Sequence, residues 1–134
     1  MKLSMIVAVS LAGAALAGDE PGPKPSPAPR PEVVSASDWG SKPRPIPDSR
    51  KHTPKFVTIH HAGVIWAAKV TPDVFVRNMQ SWGQRDKSWP DLPYHFLIAP
   101  DGRIYEGRPL DYEPESNTKY PLSGNIGVEM MGDF

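Results

Sequence analysis

The sequence predicts an α/β fold with a mixed central β-sheet flanked by helices. Three features predict it: two apolar runs rich in β-branched and aromatic residues, a capped amphipathic segment between them, and a tight turn leading into a further strand pair. The order strand, helix, hairpin, strand belongs to an α/β domain rather than to a bundle or a sandwich.

The first strand is Lys55-Phe56-Val57-Thr58-Ile59-His60-His61, which follows Pro54 and reads as buried. Thr71-Pro72-Asp73 then opens a helix. Thr71 has a capping hydroxyl, Pro72 suits the first helical position, and Asp73 matches the positive end of the dipole. Phe75, Met79 and Trp82 recur at helical spacing and predict one core-facing stripe ending at Gly83. Tyr94 to Ala99 is a second strand, and Pro100-Asp101-Gly102 turns it into Arg103-Ile104-Tyr105-Glu106. A proline-bearing loop spans 107–124, and Asn125 to Met131 is the last strand. One amphipathic helix covers one face of a sheet, yet these strands are apolar enough to be buried on both. A second covering element is therefore expected, and Met131-Gly132-Asp133-Phe134, directly after a hydrophobic strand, reads as an interrupted domain.

The 134 residues include 15 basic and 15 acidic side chains. This balance argues against a partner held mainly by charge, such as a nucleic acid or an anionic membrane. Residues 1–17 read as a signal peptide: Lys2 is the basic start, Leu3 to Leu11 the apolar run, and Ala15-Leu16-Ala17 the cleavage signal. The run is short for a bilayer, so no membrane span is expected after cleavage. The expected location is secreted or periplasmic, in the cell envelope. Residues 18–36 alternate proline with small and polar residues and read as an extended linker. Residues 37–134 form one small domain. No cysteine is present, which removes disulfides, cysteine nucleophiles and cysteine metal ligands from consideration.

Four histidines are available to chemistry: His52, His60, His61 and His95. Side chains alternate along a strand, so His60 and His61 point to opposite faces and one at most enters a given site. By the same rule, a cleft-facing Tyr94 turns His95 away. Hydrolytic zinc needs about three protein ligands and an open position for water. His60 is a candidate ligand, Glu129 a candidate general base, and Tyr94 a candidate donor to a developing oxyanion.

Val57-Thr58-Ile59-His60-His61-Ala62 is followed by Leu92 to Ile98 and by Asp101 to Arg108, and then by Asn125 to Gly132. In this order, these blocks resemble the zinc-dependent N-acetylmuramoyl-L-alanine amidase family. That family includes phage lysozyme-type amidases and the animal peptidoglycan recognition proteins. Trp39 resembles the tryptophan that often opens such domains. The resemblance implies that His60 is the first zinc ligand, that Tyr94 sits beside the scissile carbonyl, and that Glu129 is the catalytic base. His61 and His95 remain structural.

In the family a later histidine, and then a cysteine or aspartate, complete the zinc site after a helix that covers the sheet; nothing in this sequence matches them. The resemblance implies hydrolysis of the amide between the lactyl group of N-acetylmuramic acid and L-alanine in peptidoglycan, with Zn2+ as cofactor. The alternative is a module that binds peptidoglycan or a muropeptide without cutting it. Neither reading sets an oligomeric state.

Overall fold

The computed structural model describes residues 26, 29–67 and 69–134. The stretch read as a signal peptide, residues 1–17, therefore lies outside the described residues, as does most of the linker. Among the described residues, five strands form one mixed sheet with spatial order β1-β4-β3-β5-β2. They are β1 (Val33–Val34), β2 (Phe56–His61), β3 (Phe96–Ile98), β4 (Ile104–Glu106) and β5 (Asn125–Met130), with one α-helix, α1 (Pro72–Asp86), between β2 and β3. A 3-10 turn at Asp48–Arg50 precedes β2.

The β3–β4 hairpin is antiparallel, and every other pairing is parallel. Its turn is closed by Gly102, which sits at φ 87° and donates its N–H to the Ala99 carbonyl. The longest ladder joins β2 to β5 over six residue pairs, from Phe56 opposite Asn125 to His61 opposite Met130. Helix α1 begins as its sequence dictates: Thr71 Oγ1 accepts the Val74 N–H, and Pro72 occupies the first turn.

Alternation along the strands sorts the sheet into two unlike faces. On one, Leu97, Tyr105, Ala99 and Met131 join Trp39, Val76 and Leu92 in the buried core, beneath α1. His60, opposite Glu129, shares this face with Leu97. The other face carries Val33, Ile104, Ile98, Phe96, Val128, Ile126, Met130, Ile59 and Val57. No residue of this apolar row is buried, and the row includes a hollow lined by Pro31, Val33, Phe96, Ile98, Ile104 and Val128.

Several elements depart from expectation. β2 is an edge strand, not a buried one, and Val57 and Ile59 are 62% and 65% exposed. Apolar composition alone does not tell an edge from a centre. β1 lies inside the stretch read as linker, so two of its valines complete the sheet beside β4. Helix α1 runs three residues beyond Gly83, and its buried positions are Pro72, Val76, Gln80 and Gly83. Phe75 and Met79 flank this stripe against the core edge, and with Trp82 they line an open groove. Gln80 displaces apolar residues at the centre because its amide is fully used, accepting from Lys42 N–H and donating to Asp91 and Ser41.

The two faces predict opposite responses to substitution. Leu97→Ala removes a fully buried side chain and is expected to cost about 3–5 kcal/mol. Ile59→Lys, on the open face, is expected to stay within about 0.5 kcal/mol of the parent. Urea unfolding of both variants checks the assignment, and a comparable loss for Ile59→Lys would overturn it.

Candidate functional site

Register brings the predicted residues together. His60 on β2 pairs with Glu129 on β5, and Glu129 pairs with Leu97 on β3, so imidazole and carboxylate project from neighbouring strands on the α1 side. Tyr94 lies just before β3, with its ring 5.7 Å from that of His60. The tyrosine reaches this position over a glycine: a Cβ on Gly127 would stand 3.3 Å from Tyr94 Cδ1 and 3.2 Å from Pro114 Cβ. Gly107 is needed for the same reason, since a Cβ there would lie 2.3 Å from the Tyr94 carbonyl oxygen.

The site is polar, recessed and short of partners. His60 Nε2, Glu129 Oε2 and the Tyr120 hydroxyl are buried without a hydrogen-bond partner. Such atoms are rare in folded proteins and cost about 1–3 kcal/mol each when nothing answers them. Glu129 is only 2% exposed. Burial pushes its carboxyl up to about 8, so it holds a proton over much of the neutral range. The Tyr94 phenol is pushed well above its ordinary value, first by burial and then by the nearby Glu129 and Tyr120. It therefore remains a neutral hydrogen-bond donor.

Two histidines are structural. His95 is buried, and its Nδ1 accepts the Gly127 N–H at 2.9 Å. Its Nε2 then carries the proton and donates to the Tyr112 carbonyl at 2.8 Å. Burial lowers its affinity for a further proton, with Arg108 and His52 adding smaller pushes in the same direction. His52 repeats the arrangement, accepting from Gly124 N–H and bonding the Leu110 carbonyl. The two rings stack at 6.0 Å and together tie β5 and its approach to the 107–124 loop. His61 is on the opposite face, paired with Asp133 at 3.2 Å.

Tyr120 belongs to the site although the sequence offered no signal for it. It sits in the proline-bearing loop, outside any periodic element, and only the folded chain brings its ring to 5.5 Å from that of His60.

The residues present do not make a zinc site on their own. Catalytic zinc takes about three protein ligands, and no cluster of three His, Cys, Asp or Glu side chains occurs among the described residues. His60 with its free Nε2 is one suitable donor, and Glu129 is a second polar group close by.

Comparison with known proteins identifies the family. The family model described as N-acetylmuramoyl-L-alanine amidase matches residues 50–134. The chain belongs to that family. It is similar to peptidoglycan-recognition protein LB of Drosophila melanogaster, with 32% identity over 111 residues, covering 76% of this chain and 44% of the relative. Peptidoglycan recognition protein 1 of Mus musculus is 29% identical over 103 residues, covering 76% of this chain and 57% of that protein. Among solved structures, Drosophila PGRP-LB superposes with a TM-score of 0.62 at 30% identity, covering 78% of this chain and 62% of that one. Drosophila PGRP-SD gives a TM-score of 0.64 at 26% identity, covering 78% and 63%. The amidase-family chain thus spans about half the length of the curated relatives LB and 1. Its mixed sheet with a flanking helix is the peptidoglycan recognition protein fold.

Glu129 makes the amidase-family domain's stability depend on pH in a defined sense. Its folded-state proton affinity is raised from 4.5 to about 8, so the folded chain holds a proton that the unfolded chain gives up in that window. The carboxyl's contribution is fully present below pH 4.5 and is lost as pH rises to about 8. Glu129→Gln keeps the shape and removes the titration. Stability of this variant relative to the parent should rise from pH 4.5 to 8, which denaturation at several pH values checks.

Proposed function

We propose that this domain binds the muropeptide part of peptidoglycan and serves hydrolysis of the lactyl–L-alanine amide. The supporting observation is the convergence of His60, Tyr94 and Glu129 on one face, with unpartnered polar atoms on His60 and Glu129. Tyr94, a neutral donor, hydrogen-bonds the amide oxygen as negative charge develops there. Glu129 acts in its carboxylate form, taking a proton from the attacking water and passing it to the leaving amine, and burial leaves only part of the chain in that form at neutral pH. His60 is the residue we assign to the family's Zn2+, whose further ligands would come from outside the described residues. Peptidoglycan as the target also fits the solved complex of a Drosophila PGRP-LB mutant with tracheal cytotoxin, which is 30% identical to this chain with a TM-score of 0.59. Action outside the cell follows from reading residues 1–17 as a leader.

The unpartnered polar atoms of the cleft also suit a second reading, in which it holds muropeptide without cutting it. One experiment separates the two. The chain is purified, its zinc content measured, and a muropeptide added while binding is followed by calorimetry and free peptide by mass spectrometry. One zinc per chain with peptide release supports hydrolysis. In that case Glu129→Gln should lower turnover by about 10²-fold or more and leave affinity largely intact. Binding without zinc or release supports the module. Absence of binding would sink both.

A further inference from the structure

The loop over 107–115 runs beside the segment that carries Tyr94 and bonds to it residue by residue. Arg108 Nε donates to the Leu92 carbonyl at 2.9 Å, and the Glu115 N–H donates to the Pro93 carbonyl at 2.8 Å. The Arg108 and Gly107 N–H groups donate to the Tyr94 and His95 carbonyls, at 2.9 and 2.8 Å. Four consecutive carbonyls, from Leu92 to His95, are thus held by one loop. Tyr94 itself precedes β3, so sheet pairing alone does not fix it.

The loop is in turn gripped by two arginines, one inside and one outside. Arg108 is 1% exposed. Burial works against its charge, and Glu115, then Asp91, offset part of that cost. Besides Leu92, its guanidinium donates to the Glu113 carbonyl and lies 3.5 Å from Glu115 Oε1. From the surface side, Arg50 reaches Glu113 Oε2, the Pro114 carbonyl and Glu115 Oε1, each at 3.1 Å. Pro114, between the two acids, stands over Gly127. A Cβ on that glycine would meet Pro114 Cβ at 3.2 Å and Tyr94 Cδ1 at 3.3 Å, so proline and tyrosine share the gap that the glycine leaves.

We propose that Arg108 and Arg50 are positioning residues for Tyr94, a two-arginine clamp on residues 113–115 that sets where the phenol stands beside His60. This inference rests on the muropeptide reading, which gives Tyr94 its role. A planar guanidinium suits the task because it serves several acceptors in a fixed geometry, which a single ammonium does not.

NMR of the His60 imidazole in the full chain tests the placement, because the Tyr94 ring, 5.7 Å away, shifts the signals of protons beside it. Tyr94→Leu supplies the signal of a His60 without that ring. Arg50→Met is the deciding variant, since Arg50 is partly exposed and Arg108 still answers Glu115 once it is gone. It should move the His60 signal part of the way toward the Tyr94→Leu value and weaken muropeptide affinity about three- to tenfold. Arg50→Lys keeps the charge but reaches fewer of the three acceptors, and it should fall between the parent and Arg50→Met. A lower urea midpoint for Arg50→Met with an unmoved His60 signal would make the clamp structural only and overturn the inference. A moved signal with parent-like affinity would overturn its link to the ligand. A parent chain that binds no muropeptide removes the underlying reading, whereas a binding parent whose His60 signal is unmoved by Arg50→Met removes this inference alone.

Discussion

The parallel ladder between β2 and β5 carries both the histidine and the carboxylate, and its register decides whether a site exists. With His60 opposite Glu129, the two polar side chains emerge together on the face packed by α1. A slip of one residue would send His60 to the apolar face, and His61 would take its place beside a different neighbour. The register is pinned at its start by Thr58 bonding Asn125 across the strands, and by the Gly124 carbonyl accepting both Lys55 and Phe56 N–H groups. His95 adds a side-chain bond to Gly127 N–H from the neighbouring strand's approach. Pairing is thus specified by polar contacts at a place where β2, as an edge strand, has few buried side chains to specify it.

Those polar contacts contrast with the polar atoms left open a few residues further on. His60 Nε2, Glu129 Oε2 and the Tyr120 hydroxyl are each buried without a partner, while Gln80, Asp91, His95 and most of Arg108 are satisfied within the protein. Unmet polar groups are costly, and a fold that satisfies them elsewhere tolerates them where a ligand supplies the missing half. Clustering is the informative part. Other orphans, such as the Tyr105 hydroxyl on β4, lie outside this cluster and carry no functional reading.

Much of the fold was legible because it is local. The Thr71 cap with Pro72, the Pro100-Asp101-Gly102 turn, and the opposite orientation of His60 and His61 follow from chain geometry alone, and the structure agrees. Tyr94 and His95 also diverge as alternation requires, one toward His60 and the other into the Tyr112 and Gly127 backbone. The edge position of β2, the short β1 and the central place of Gln80 were not legible, because each depends on partners outside its own element, such as Lys42, 38 residues from Gln80. Tyr120 was hidden for the same reason. A tyrosine in a proline-bearing loop has no period to betray it, and its relation to His60 exists only once Asn125 has tied the loop to β2.

The unequal faces of the sheet explain why the site is as ordered as it is. Trp39, Leu92, Leu97 and Tyr105 are essentially buried on the α1 side, so the backbone under His60 and Glu129 is backed by the whole of the core. The Trp39 indole also donates to the Glu106 carbonyl at 2.7 Å, and Arg77 donates to the Trp39 carbonyl, joining the N-terminal segment, α1 and β4 into one unit. The opposite face, from Val33 across to Val57, contributes little burial and no residue to the site. Since successive side chains on each strand belong to different faces, the strand that exposes Ile59 is the same one that positions His60. What β2 lacks in burial on its open side is therefore supplied to the site by hydrogen bonds along its paired edge and by packing on its covered side, and the geometry around His60 follows from those two alone.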